Sequence, residues 1–380
     1  MTAPFDGMSG KRVVLCAGPG GVGKTTSSAA VALAAARAGR NVLVLTIDPA
    51  RRLADAMGTQ LDAEPKPIPP DHLQRVGANA GELWAAMLDP RQTLDDLVTR
   101  LAPDAQSAAG LQRNSIYQQI VGALSGTVEY AAVEKLADLR ERYNFDLIVV
   151  DTPPSQNVLD FLEAPQWLAR FFDERIFGWL TPDAEPGRGL ARRFMRRTSR
   201  IVWDVLARVL SEDFAEEVAD FFGTVASMAP EIRRRADEIG ALLRSEETLG
   251  LIVANTQSPV VREAVALRRA MEQRGIEFGG FIVNRTEPQT GVPDVDVALS
   301  ELQDHLPQHL WADGIADKLR QVAHRTEAEA RRDREAIEHL RRQANWSGFL
   351  AALPRYVGEV SDMVTLGHLA DKLRHPLTHL

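Results

Sequence analysis

An apolar run, Val13-Val14-Leu15-Cys16-Ala17, leads directly into Gly18-Pro19-Gly20-Gly21-Val22-Gly23-Lys24-Thr25-Thr26, and an alanine-rich segment then continues to Ala38. No other part of the chain restricts the fold as much. The apolar run suits a buried strand. Gly18, Gly20, Gly21 and Gly23 allow the backbone to turn its N–H groups inward around an anion. The alanine-rich segment favours helix, with Gly39 as its stop, and the helix N-terminus presents free N–H groups and a positive dipole end to whatever the loop holds. Gly18 to Thr25 satisfies G-x-x-x-x-G-K-[ST], the signature of a nucleotide phosphate cradle. Backbone N–H groups of Gly20, Gly21, Val22 and Gly23 are expected to surround the phosphates of ATP. Lys24 should reach the β- and γ-phosphates, the Thr25 hydroxyl should ligate Mg2+, and Thr26 should reach the α-phosphate.

The rest of the chain reads as strands alternating with helices. Apolar strands are expected at 41–47, 145–151, 249–255 and 279–284, with a weaker one at 82–88 and a last one near 346–353, followed by Pro354. Helical patterns fill about 90–142, 260–274 and 316–342. This alternation predicts an α/β fold, a doubly wound and mostly parallel sheet. Residues 157–246 interrupt it with helical sequence, read as an insertion subdomain. The expected division is 11–156 with 247–373 as the nucleotide-binding domain, 157–246 as the helical insertion, and 1–10 as a flexible tail. The 380 residues suffice for one large domain with an insertion.

In parallel sheets, ligands sit beyond the C-terminal strand ends. Lys24, Asp48, Asp151 and Asn284 all fall there. Asp151 closes a hydrophobic strand and suits a Mg2+-holding acid; the alternative is a cap for the next turn. The segment Asp151-Thr152-Pro153-Pro154-Ser155 leaves toward the γ-phosphate and suits a nucleotide-state switch. Asp48 either activates the attacking water or caps the turn at Pro49-Ala50-Arg51-Arg52-Leu53. Asn284 either reads a base edge or forms a turn.

With these residues in place, the chain resembles the arsenite-efflux (ArsA) and tail-anchored-protein targeting ATPase family, within the signal-recognition/MinD class of P-loop proteins, and is most like its actinobacterial ArsA-like members. The resemblance extends from about Lys11 to Leu373. Asp48-Pro49-Ala50-Arg51-Arg52-Leu53-Ala54-Asp55 matches the family's switch I, Asp151-Thr152-Pro153-Pro154-Ser155 its switch II, and Val283-Asn284 its adenine-contacting pair; Pro354 aligns with a proline beside the base. The resemblance implies Mg2+-dependent ATP hydrolysis coupled to the closing of a dimer, with water activation at Asp48. It also implies a groove in the helical insertion for a hydrophobic client helix. The other implied roles are an arsenite pump subunit and a MinD-like positioning switch.

The chain departs from that pattern at Pro19, where the family carries a lysine that reaches the partner's phosphates. Three explanations follow: a heterodimer with a lysine-bearing paralogue in place of a homodimer, a substitute cation such as Arg51 or Arg52, or slow hydrolysis. A soft site for trivalent arsenic needs several thiolates, and the chain has one cysteine, Cys16, so arsenite is not expected. Val158, Phe161, Leu162, Trp167, Leu168, Phe171, Phe172, Ile176, Phe177, Trp179 and Leu180 form a very apolar stretch that fits a client groove, the insertion's own core or a dimer contact. Arg188, Arg192, Arg193, Arg196, Arg197 and Arg200 suit a solvated face, an acidic client flank or at most peripheral contact with anionic lipid. The net charge of −8 argues against nucleic acid. With neither a signal-peptide pattern nor an 18-residue apolar span, a cytoplasmic location is expected.

Overall fold

The structure is a computed structural model that describes residues 8–48, 52–78, 80–123, 127–153, 158–165, 212–288, 295–305, 314–356, 360, 362–374 and 377. Eight strands form one sheet: β1 (Val13–Ala17), β2 (Asn41–Thr46), β3 (Lys66–Pro67), β4 (Glu82–Met87), β5 (Leu147–Asp151), β6 (Thr248–Ala254), β7 (Phe278–Thr286) and β8 (Phe349–Pro354). Their order is β3-β4-β2-β5-β1-β6-β7-β8. Every pairing is parallel except that of β3 with β4. The expected α/β class with a mostly parallel, doubly covered sheet is therefore observed.

Alternate residues of the central strands feed two cores. Val13, Leu15 and Ala17 of β1 join one cluster with Leu43, Leu45, Ile148 and Val150. Val14 and Cys16 join the other, with Val42, Val44, Leu147 and Val149. Helix α1 (Lys24–Arg37) lies on this second side. Its alanines allow close approach to the sheet, and Ala29, Ala30, Ala32 and Ala36 are all fully buried. The C-terminal helix Met363–Leu373 packs on the same side, tied by Arg37 Nη1 donating to the Gly367 carbonyl and to Asp371 Oδ1. The opposite face is covered by the helices at Thr127–Arg142 and Ser258–Gln273.

Several boundaries differ from the sequence reading for local reasons. β5 starts at Leu147 because Phe145 turns inward onto Tyr143 and Trp84, while the Asp146 carboxylate accepts from the Asn41 backbone N–H. β8 starts at Phe349, after Asn345 ends the long helix Ile315–Ala344 in the left-handed region (φ 46). It also runs through Pro354 instead of stopping before it. β8 is an edge strand, where the missing N–H of a proline costs no ladder bond. The two-residue β3 has no periodicity by which a sequence could show it.

The long helix Glu212–Leu243 contributes Phe221, Val225, Met228 and Ile232 to a third core, shared with Val98, Ala108, Leu111 and Tyr117. Val158, Phe161 and Leu162, the start of the apolar stretch, are buried in the main core. Trp167 through Leu180 and the arginines from 188 to 200 lie outside the described residues, as does the tail at 1–7. Among the described residues, no helix is long and apolar enough to cross a membrane.

Candidate functional site

The C-terminal ends of β1, β2, β5, β7 and β8 open onto a cavity of about 980 Å3. Gly21, Gly23, Lys24, Thr25, Thr26, Asp48, Asp151, Asn284 and Pro354 all line it. The sheet order explains this convergence. β1 sits between β5 and β6, at the point where the chain's winding reverses and a crevice opens. Of the expected phosphate-contacting residues, Gly20 and Val22 do not line the cavity; Gly20 is exposed at the loop tip, and the Val22 side chain is fully buried.

Three glycines in the loop adopt backbone conformations that L side chains avoid: Gly18 (φ 157), Gly21 (φ 73) and Gly23 (φ 91). At Gly18 the constraint is also steric, since a Cβ there would lie 2.1 Å from the Val253 carbonyl oxygen. α1 begins without any side-chain cap. Its first N–H groups therefore face the cavity as donors for an anion. Lys24 is buried, and its Nζ donates to the Gly18 and Pro19 carbonyls at 3.1 and 2.9 Å. Pro19 thus contributes an acceptor to the loop, from its backbone.

Asp151 is the electrostatic centre. Strand register places it beside Cys16 on one side and Thr46 on the other. Its Oδ2 accepts from Thr25 Oγ1 at 2.6 Å and from Thr46 Oγ1 at 3.0 Å, and its Oδ1 lies 3.5 Å from the Ser28 hydroxyl. Burial pushes the carboxyl up to about 6; the Thr25 and Thr46 hydroxyls and the Lys24 charge pull the other way, and the Asp48 charge adds to the rise. A dry carboxylate and a hydroxyl in contact are oxygen donors of the kind Mg2+ takes, and a divalent cation would hold Asp151 ionised. The residues present therefore fit Mg2+. Beneath them, burial pushes the Cys16 thiol up to about 12, which leaves a neutral, packed side chain.

Asp48 follows β2 and is partly exposed to the cavity. Its neighbours 49–51 lie outside the described residues, as do the side chain of Arg52 and Pro154 and Ser155 of the expected second switch. Thr152 anchors the start of that segment by donating its hydroxyl to the Cys16 carbonyl at 2.9 Å. Asn284 and Arg285 near the end of β7, Pro354 at the end of β8, and Arg355 and Tyr356 just after it also line the cavity.

Sequence reasoning missed Thr46 and Ser28, which contact Asp151, and the wall formed by Gly58, Thr59, Gln60, Arg285, Arg355 and Tyr356. Thr46 had a signal, as the one hydroxyl at the end of an otherwise apolar strand. Arg285 lies near the end of β7, and the others come from the loops after the helix Arg52–Met57 and after β8, segments that no pattern groups.

Fold and site together define a P-loop nucleotide-binding protein. The sequence profile of the anion-transporting ATPase family matches residues 11–296, and the chain belongs to that family. Among curated proteins it is similar to ATPase get3 of Aspergillus terreus (strain NIH 2624 / FGSC A1156), 30% identical over 162 residues, or 42% of this chain and 44% of that protein. ATPase get3 of Schizosaccharomyces japonicus (strain yFS275 / FY16936) is 29% identical over 157 residues, 41% and 45% of the two chains. The matched segment thus spans less than half the length of these relatives.

Proposed function

We propose that this chain is a Mg2+-dependent ATP hydrolase that uses the nucleotide to open and close a dimer. The observation that carries the reading is the contact of Thr25 with the buried Asp151 beside the Lys24 ammonium, at the mouth of an uncapped helix. Thr25 and Asp151 would hold Mg2+, which when bound neutralises charge on the β- and γ-phosphates. Lys24, now resting on the Gly18 and Pro19 carbonyls, would exchange these for phosphate oxygens. Asp48 would take a proton from water as its oxygen bonds the γ-phosphorus and the bond to the β-bridging oxygen breaks. Asn284 and Pro354 would flank the base.

We further propose that residues 157–246 handle a hydrophobic client or partner protein, and that catalysis is completed by a partner subunit. Pro19 has no charge, so on this reading a cation comes from a lysine-bearing paralogue or from another residue of a homodimer, and without one hydrolysis is slow. A pump for trivalent arsenic is disfavoured, because the single cysteine is fully buried and neutral. Light scattering for mass and small-angle X-ray scattering for size, each with ATP, ADP and neither, test the cycle. ATP should compact a species of dimer mass, and hydrolysis should return it to the more open size; a monomer in every state, or a dimer whose size is unaffected by nucleotide, would reject dimer coupling. Affinity purification from the native cell would recover the paralogue if the heterodimer reading is right.

A further inference from the structure

Asn284 and the phosphate loop are 262 residues apart in sequence, yet they are clasped: Asn284 Nδ2 donates to the Val22 carbonyl at 2.9 Å. Three features aim the side chain there. The β7–β8 register shifts between Val283 and Thr286, as a bulge does when it redirects a strand end. Arg285 takes a left-handed conformation (φ 60), unusual for a residue with a Cβ. That turn lets the Arg285 backbone N–H donate to Asn284 Oδ1 at 2.9 Å, fixing which way the amide faces. On the loop side, Gly23 leaves room for it, since a Cβ at Gly23 would lie 2.2 Å from Asn284 Nδ2. Strain at a strand end, an oriented amide and a glycine that makes way for it all serve one contact, with the carbonyl two residues before Lys24.

Resting on the nucleotide-binding reading above, we infer that Asn284 is a positioning residue for the phosphate cradle: by holding the Val22 carbonyl it sets the direction of the Gly23, Lys24 and Thr25 N–H groups. Its contribution is therefore to every triphosphate, whatever the base. A residue that only read adenine would contribute nothing to a ligand without a base.

The test is the affinity of the full-length chain for ATP, GTP and inorganic tripolyphosphate, all with Mg2+, for wild type, Asn284→Ala and Asn284→Asp. Loss of a hydrogen bond to a buried carbonyl predicts about tenfold weaker binding of all three ligands in Asn284→Ala. Asn284→Asp should be worse at neutral pH, because a carboxylate faces the Val22 carbonyl with no proton to donate. Relative to wild type at the same pH, its tripolyphosphate affinity should recover as acid protonates that carboxyl and restores a donor, whereas Asn284→Ala should show no recovery. Tripolyphosphate affinity within threefold of wild type in both variants, with loss confined to ATP, would overturn the inference while leaving the nucleotide reading intact. A wild type that binds neither ATP nor tripolyphosphate would overturn both, and one that binds ATP but not tripolyphosphate would overturn the inference alone.

Discussion

Replacing Asp151 by asparagine removes the buried charge at the centre of the site and keeps its shape. Burial lifts this carboxyl from its ordinary 3.8 to about 6, so the folded chain holds the proton more tightly than the unfolded chain does. The stability this group contributes is fully present below about pH 4 and is lost as pH rises through about 6. The whole loss corresponds to about 3 kcal/mol at neutral pH. An asparagine does not titrate, and its carbonyl can still accept from Thr25 and Thr46. Without nucleotide or Mg2+, Asp151→Asn should therefore be more stable than wild type at pH 7.5, by about 1–3 kcal/mol. The gap should close as pH falls to about 4. Urea denaturation followed by tryptophan fluorescence across that range measures the difference. Adding Mg2+ and ATP should reverse the order, since the wild type gains a ligand the variant cannot hold well. An Asp151→Asn protein less stable than wild type at pH 7.5 without ligand, or a gap that does not change with pH, would refute the electrostatic account.

Three further outcomes follow from the geometry. Asp48→Asn should abolish turnover while ATP still binds, as measured by phosphate release beside equilibrium binding; wild-type release rates would remove Asp48 from its assigned role. Gly18→Ala should lose ATP binding and about 2–4 kcal/mol of stability in denaturant melts, because its Cβ would sit 2.1 Å from the Val253 oxygen in a loop with no room to yield. Arg235→Ala should cost about 3–5 kcal/mol in the same melts, because it strips the 2.6 Å partner from the fully buried Glu134 and leaves Arg100 as its one remaining ion-pair partner among the described residues.

How far the sequence was legible depends on how local each cause is. Strand, loop and helix from Val13 to Ala38 follow from apolar runs, glycines and alanines within a few residues of one another. Asp48, Asp151 and Asn284 could be grouped because strand ends in a parallel sheet converge, and all three line one cavity. What they touch was harder to see. The bond from Thr46 to Asp151 depends on β2 pairing with β5 in one register, and a sequence does not print register. The clasp of Asn284 to Val22 depends on a bulge and a left-handed arginine, which break the very regularity that pattern reading uses. Val158, Phe161 and Leu162 show a related limit. Their spacing marks an apolar face, but it was the three-dimensional packing that assigned that face to the main core and away from a groove.

The account rests on ATP being held and cleaved at the Gly18–Thr25 loop. Steady-state phosphate release from Mg2+ and ATP by the purified chain, wild type against Lys24→Ala, tests that claim most directly. The account predicts release by the wild type, with any required partner present, and none above background in Lys24→Ala. Equal release by the two proteins would contradict it, as would a wild type that binds no ATP.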